Sequence, residues 1–350
     1  MRRPRAKADG EGFYHIVNRL SWQGCFLKGD WKKRLLEHIR SAAEFAGVEI
    51  LTFAIMGNHF HLLARVEARK EVSDDELVER MGHIYSEKQL EKKQNEWKHW
   101  DADEKTKWKA DEARARMRAR MYDLSEFVKI FAQRFSMEYN AARKYTGSPW
   151  GQRFKSILIE RGSRTLPVVG AYIDLNPIRA RIFANTGEYQ WTGLGAALRG
   201  DESAREGLIS LVAYAYGIER RDWDETLEIY RSILDGRLKL DAAKNGDTPR
   251  KNGVCPPTLK FDEREVSKKI KEGKMLTLFE LLRCEVRNFS NGWALGSDGF
   301  AKSALLSAKG GQTPKRGIYA IRCGELAGIG TARKVRNSDA VELPESRSYE

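Results

Sequence analysis

Neither glycine nor proline occurs between His83 and Thr146. The two residues that most readily interrupt regular structure are missing over a span several times the length of an average helix, so this stretch is committed to helix. Its first part, SEKQLEKKQNEWKHWDADEKTKWKADEARARMRARMY, carries dense charge of both signs and reads as a solvated helical hairpin. Arg114, Arg116, Arg118 and Arg120 cluster there, which suits either a charged spacer or an arm that grips a polyanion. From Leu124 onward the pattern turns amphipathic. Leu124, Phe127, Phe131 and Phe135 form one apolar stripe, read as core.

The segments around that stretch alternate between strand and helix signals. GFYHIVNRL at 12–20 is rich in aromatic and β-branched residues and reads as a strand. In WKKRLLEHIRSAAEFAG at 31–47, Leu35, Ile39, Ala42 and Ala46 recur at helical spacing, and Gly47 suits a C-cap. VEILTFAIMGNHFHLLARV at 48–66 reads as two strands broken at the turn pair Gly57-Asn58. The opening is therefore β-α-β-β. Further on, 147–160 gives a turn and a strand. Residues 163–180 give a helix that Asn176-Pro177 is expected to end, because proline lacks an amide hydrogen and clashes with the preceding turn. EYQWTGLGAALRGDE at 188–202 reads as a linker; its GLGAAL lacks the last glycine of a dinucleotide-binding loop. Residues 205–310 read as mostly helical. Within them 278–306 reads as helix, turn and helix with Ser297 as N-cap, which is either a helix-turn-helix reader of duplex DNA or an ordinary helical pair. The polar stretch 331–350 is expected to be disordered.

Lys and Arg number 62 against 49 Asp and Glu, a formal charge of +13 over 350 residues. Such an excess suits an extended polyanion, though by itself it licenses only non-specific binding. With 41% hydrophobic residues the chain can bury a core, which excludes global disorder. Cys25, Cys255, Cys284 and Cys323 are scattered without a CxxC pair, so neither a zinc ribbon nor a disulfide framework is expected. No apolar run approaches the roughly 20 residues of a membrane span, and no secretory h-region follows the basic start. A cytoplasmic protein with no membrane partner is the expectation.

The sharpest chemical feature is His59-Phe60-His61. On a strand, alternate residues share a face, so both imidazoles project from one sheet surface while Phe60 and Leu62 turn to a core. Two such histidines can hold one divalent cation. Zinc would want a third strong ligand, and no cysteine is near in sequence. His15, His38, His83 and His99 are read as structural or surface residues. Tyr172 and Asn176 lie four apart on a predicted helix and so share a face. Asn176 could complete a metal site through its amide oxygen, and a phenol beside a cation can act as a covalent nucleophile.

GFYHIVNRL, IMGNHFHLL, WGQRFKSILIE and YIDLNPIRA occur in that order. Together they resemble the single-tyrosine HUH transposases, and most closely the REP-associated tyrosine transposase branch. The resemblance implies an α+β, ferredoxin-like HUH catalytic domain over 1–66 plus 124–190. Around it would stand a charged helical insertion at 67–123, a helical C-terminal domain at 200–330 that could bind DNA, and the tail at 331–350. It implies Tyr172 as nucleophile and His59, His61 and Asn176 as ligands of Mg²⁺ or Mn²⁺; related enzymes carry Gln where Asn176 stands. The implied activity is nicking and rejoining of single-stranded or hairpin DNA through a 5′-phosphotyrosine, by a monomer or homodimer. Arg19, Arg153, Lys155 and Arg179 are candidate phosphate contacts, and Trp150 a base-stacking ring. Two alternatives stand beside this one: a hairpin-DNA-binding protein that no longer cleaves, and a metal-dependent hydrolase using water.

Overall fold

Strand β1 (Gly12–Arg19) forms where aromatic and β-branched residues concentrate, and it lies at the middle of the first half of a sheet. In the computed structural model, residues 5–21, 27–162, 165–180, 182–183, 187–234, 292–308, 318–320 and 330–333 are described. Helix α1 (Asp30–Ala46) buries Leu35, Ile39, Ala42 and Ala46, the positions its spacing predicts, with Leu36, Ala43 and Phe45 beside them. Gly47 ends it in the left-handed conformation (φ 64°). Strands β2 (Val48–Ile55) and β3 (His59–Val66) pair as an antiparallel hairpin across Met56-Gly57-Asn58.

Helices α2 (Asp74–Gly82), α3 (Glu87–Asp101), α4 (Lys107–Ala119) and α5 (Leu124–Arg143) occupy the span without glycine-proline breaks and its approach. Ser86 starts α3 with a capping box to Gln89, and Asp123 caps α5. The predicted stripe of α5 is buried, with Phe131 packed edge-on against Phe60 of β3. Each arginine of the cluster is paired with a carboxylate. Arg114 pairs with Asp74 and Asp101, Arg116 with Glu112, Arg118 with Asp74 and Arg120 with Glu126.

Strand β4 (Lys155–Ile159) joins β1 antiparallel, so the first four strands run β2-β3-β1-β4. With α1 and α5 as crossovers, this is the ferredoxin-like α+β arrangement. Helix α6 (Leu166–Asp174) stops at Leu175, and a single turn, α7 (Asn176–Arg179), follows. The break thus falls one residue earlier than expected, and Pro177 opens a turn rather than ending one. Its missing amide hydrogen costs nothing in a first turn. The expected linker is also structured. Thr192 caps α8 (Gly193–Ala197), a buried turn packed on β2. A Cβ on Gly193 would meet the Thr52 hydroxyl at 2.1 Å, so its glycine serves close packing rather than phosphate binding.

Helices α9 (Glu202–Tyr216) and α10 (Trp223–Leu234) follow, with α9 against β2. Residues 292–296, expected in a helical region, instead form strand β5 (Gly292–Gly296), which extends the sheet parallel to β4. A short apolar run bounded by glycines is strand-like once an edge is available to pair with. Ser297 does cap the next helix, α11 (Asp298–Ala308), accepting from the Phe300 amide. Strands β6 (Ile318–Ala320) and β7 (Gly330–Arg333) complete the order β2-β3-β1-β4-β5-β7-β6 among the described residues. Strand β7 takes 331–333 from the stretch expected to be disordered. The four cysteines, the first predicted helix of 278–306 and residues 334–350 lie outside the described residues. Among the described residues, no helix is long and apolar enough to cross a membrane.

One face of the sheet is covered by α1 and α5. On the other, α6 packs over β2 and β3.

Candidate active site

Alternation along β3 sends Phe60 and Leu62 into the core and turns His59 and His61 toward α6. The two imidazoles have ring centres 5.2 Å apart at an interplanar angle of 81°. The face is not open, however. Helix α6 roofs it, leaving His61 only 4% exposed. Tyr172 presents its ring edge-on to His61 at 5.9 Å and to His15 at 5.7 Å, and it is 1% exposed. Asn176, also buried, donates from Nδ2 to the carbonyls of Tyr172 (3.0 Å) and Ile173 (3.2 Å). The amide nitrogen therefore serves the helix, and Oδ1, on the opposite corner of the amide, is the end suited to a cation. The four predicted residues line one cleft of about 600 Å³.

Two buried polar residues that support the site escaped the sequence reading. His15, taken as a structural or surface residue, is fully buried on β1 and stacks on His61, with Nε2 2.9 Å from His61 Nδ1. One proton bridges these nitrogens. If His61 binds a cation through Nε2, its Nδ1 must carry that proton and His15 must accept it. His59 is held likewise, with Nδ1 2.7 Å from Asn58 Oδ1. The second residue is Asp174, on α6 between Tyr172 and Asn176. It is the sole charged residue in the apolar run LPVVGAYIDL, and a lone charge in such a helix signals a buried partner. Burial pushes its carboxyl up to about 6, despite donors from Leu194, Tyr230, Thr52 and Gly193. Burial beside Asp174 pushes the Tyr230 phenol well above its ordinary value.

Residues 11–111 match the family model described as "Transposase IS200 like". The resemblance read from the sequence holds over that span. It includes His15, His59 and His61, stops before Tyr172 and Asn176, and runs through most of the stretch expected to be an insertion. The match supports a transposase-like role. The fold is also similar to a solved structure of a REP-associated tyrosine transposase bound to a REP hairpin, loosely: 12% identity over 57% of this chain and 87% of that one, TM-score 0.35. No curated protein matches the chain.

The resemblance read from the sequence implies a divalent cation, and the donor set here fits one. With metal–nitrogen bonds of about 2.1 Å, two imidazoles sharing a cation have ring centres roughly 4.5–5.5 Å apart; His59 and His61 fall in that range. Among the described residues, no three His, Cys, Asp or Glu side chains converge on one ion. A cation held here would therefore draw its further ligands from the Asn176 oxygen and from water or phosphate. Mg²⁺ favours such oxygens, and Mn²⁺ also accepts imidazole.

The candidate DNA contacts separate into two groups. Arg19, Arg153 and Lys155 are exposed and line the same cleft. Trp150 does not. Its indole packs edge-on against Phe60, and Nε1 donates to Ala132 O and Ser136 Oγ on α5. It is half-buried and packs against the core with its nitrogen satisfied, outside the cleft that the exposed cations line. Arg179 has a described backbone on α7, and its side chain lies outside the described residues.

Proposed function

We propose that this chain nicks and rejoins single-stranded or hairpin DNA in the cytoplasm through a covalent 5′-phosphotyrosine on Tyr172. The observation that carries the reading is the placement of the Tyr172 ring against His15 and His61 in a cleft rimmed by Arg19, Arg153 and Lys155. The phenol oxygen attacks the scissile phosphorus and gives up its proton. The bond to the 3′-oxygen breaks, and that oxygen takes up a proton to leave as a 3′-OH. One phosphodiester replaces another, so no nucleotide is consumed, and a new 3′-OH can reverse the step. His59, His61 and Asn176 would hold Mg²⁺ or Mn²⁺, which when bound polarises the phosphate. The exposed cations hold the phosphate backbone along the rim.

A second reading, a DNA-binding protein that does not cleave, is favoured by one observation: Tyr172 is 1% exposed, so DNA must displace part of the cleft wall to reach it. Trapping of a labelled oligonucleotide on the protein, mapped by peptide mass spectrometry, separates the two. The expected result is an adduct on Tyr172 that Tyr172→Phe abolishes while DNA binding survives. Binding without any adduct favours the second reading, and an adduct on another residue refutes the assigned nucleophile.

A further inference from the structure

Asp174 is fully buried, yet it touches neither the histidines nor the cleft. It lies two residues after Tyr172 on α6, so it points to the far side of that helix from the Tyr172 ring. Its carboxylate gathers three separate elements. Oδ2 accepts from Thr52 Oγ1 of β2 at 2.8 Å and from the Tyr230 hydroxyl of α10 at 2.6 Å. Oδ1 accepts from the Leu194 amide of α8 at 2.9 Å.

Two glycines make room for these contacts. A Cβ on Gly193 would overlap the Thr52 hydroxyl at 2.1 Å. A Cβ on Gly170, one turn before Asp174 on the same face, would stand 3.2 Å from the Tyr230 hydroxyl and 2.7 Å from a Leu211 methyl. Side chains at either place would push away the donors that Asp174 collects. The close approach and the carboxylate therefore serve one arrangement, a fixed seat for α6.

From this geometry we infer that Asp174 is a positioning residue that seats the end of α6, which carries Tyr172 and leads into Asn176 of α7, through Thr52, Leu194 and Tyr230. The inference rests on Tyr172 being the nucleophile. Its consequence is that residues 192–234, beyond the expected end of the catalytic domain at 190, complete the active site. A ring held edge-on against two imidazoles tolerates little helix displacement, since misplacing a reacting group by about 1 Å can cost about a hundred-fold in rate.

Tyr230→Phe and Thr52→Val each remove one hydroxyl with little change of volume. In the full chain, each should raise native-state amide exchange in residues 171–176 by about ten-fold or more, with α1 and α5 unchanged. The adduct rate on bound oligonucleotide should fall by a similar factor while DNA affinity holds. Asp174→Asn should restore most of the rate lost in Asp174→Ala. Its Oδ1 still accepts from Leu194, and hydroxyls that donated to the carboxylate can accept from the new amide. Unchanged exchange in α6, or exchange raised evenly across the domain, overturns the seat. The exchange readout needs no DNA. Absence of any adduct in the unaltered chain would instead overturn the nicking reading and leave the exchange result to decide the seat.

Discussion

His15 and His61, on adjacent antiparallel strands, stack with ring centres 5.1 Å apart and share a hydrogen bond of 2.9 Å in a fully buried setting. A neutral imidazole has one donor and one acceptor nitrogen, so this bond couples the tautomers of the two rings. The pair gives His61 the outer support that histidine ligands of metal ions commonly receive.

His15→Leu stays close to the imidazole in volume and deletes both nitrogens. The expected outcome is a folded protein whose Mn²⁺ affinity, measured by electron paramagnetic resonance titration, falls about 10–100-fold. Strand cleavage should fall with it. Thermal unfolding should show a loss of about 0.5–1.5 kcal/mol from the lost hydrogen bond. An unchanged Mn²⁺ titration would show that the His15 bond has no part in ligation.

Two glycines predict opposite signs on stability. A Cβ on Gly207 of α9 would stand 2.3 Å from the Ile50 carbonyl oxygen and 2.9 Å from that of Leu51, backbone atoms that cannot step aside. Gly207→Ala should therefore lower stability by about 1–3 kcal/mol, outweighing the gain in helix propensity of about 1 kcal/mol. Gly82 ends α2 with only ordinary contact, at 4.0 Å from Leu90. Gly82→Ala should stabilise by about 0.4–1 kcal/mol. Urea unfolding of both variants checks the pair, and a stabilised Gly207→Ala would mean that α9 does not lie close on β2.

Local signals carried the β-α-β-β opening, the α5 stripe, the Gly47 cap and the shared face of His59 and His61. Each depends on neighbours within a turn or a strand. His15 and Asp174 were illegible for the opposite reason. The partner of His15 is 46 positions away, and those of Asp174 lie at Thr52, Leu194 and Tyr230. Strand β5 was hidden because it forms only where β4 offers an edge, more than a hundred residues earlier in the chain. The 188–202 stretch looked like a linker because its small residues carry no periodic signal. Their smallness is what lets α8 press onto β2.

The Asp123 cap predicts an acid-dependent loss of stability. Its side chain accepts from the Ser125 and Glu126 amides at 2.7 and 3.0 Å and pairs with Lys7 at 2.5 Å. Burial alone would push the carboxyl up; the Lys7 ammonium and the backbone donors outweigh it and hold it below the usual carboxylate range. A folded-state pKa below the unfolded one contributes stability that is present above the unfolded value, near 4, and lost as pH falls through the folded one. Asp123→Ala should cost about 0.5–2 kcal/mol near neutral pH. In urea unfolding that difference should shrink steadily as the pH falls below about 4. A gap of constant size would mean the charged carboxylate is not what holds the end of α5.

The rim of the cleft predicts how DNA binding responds to salt. Arg19, Arg153 and Lys155 are exposed, so replacing them should leave the core intact. Each cation that neutralises a phosphate of a single strand releases counterions, adding about 0.7 to the slope of log affinity against log salt. Arg153→Gln with Lys155→Gln should therefore flatten the slope by about 1.4 and weaken binding alike for every sequence. The melting temperature should stay unchanged. Trp150→Ala provides the contrast, because its half-buried ring packs against Phe60 and Phe135 and its nitrogen is bonded to α5. That variant should lose about 1–3 kcal/mol of stability and, at temperatures where it remains folded, keep the parent slope. Fluorescence anisotropy of a labelled single strand across a salt series measures both. A double glutamine variant that keeps the full slope would place the DNA somewhere other than this cleft.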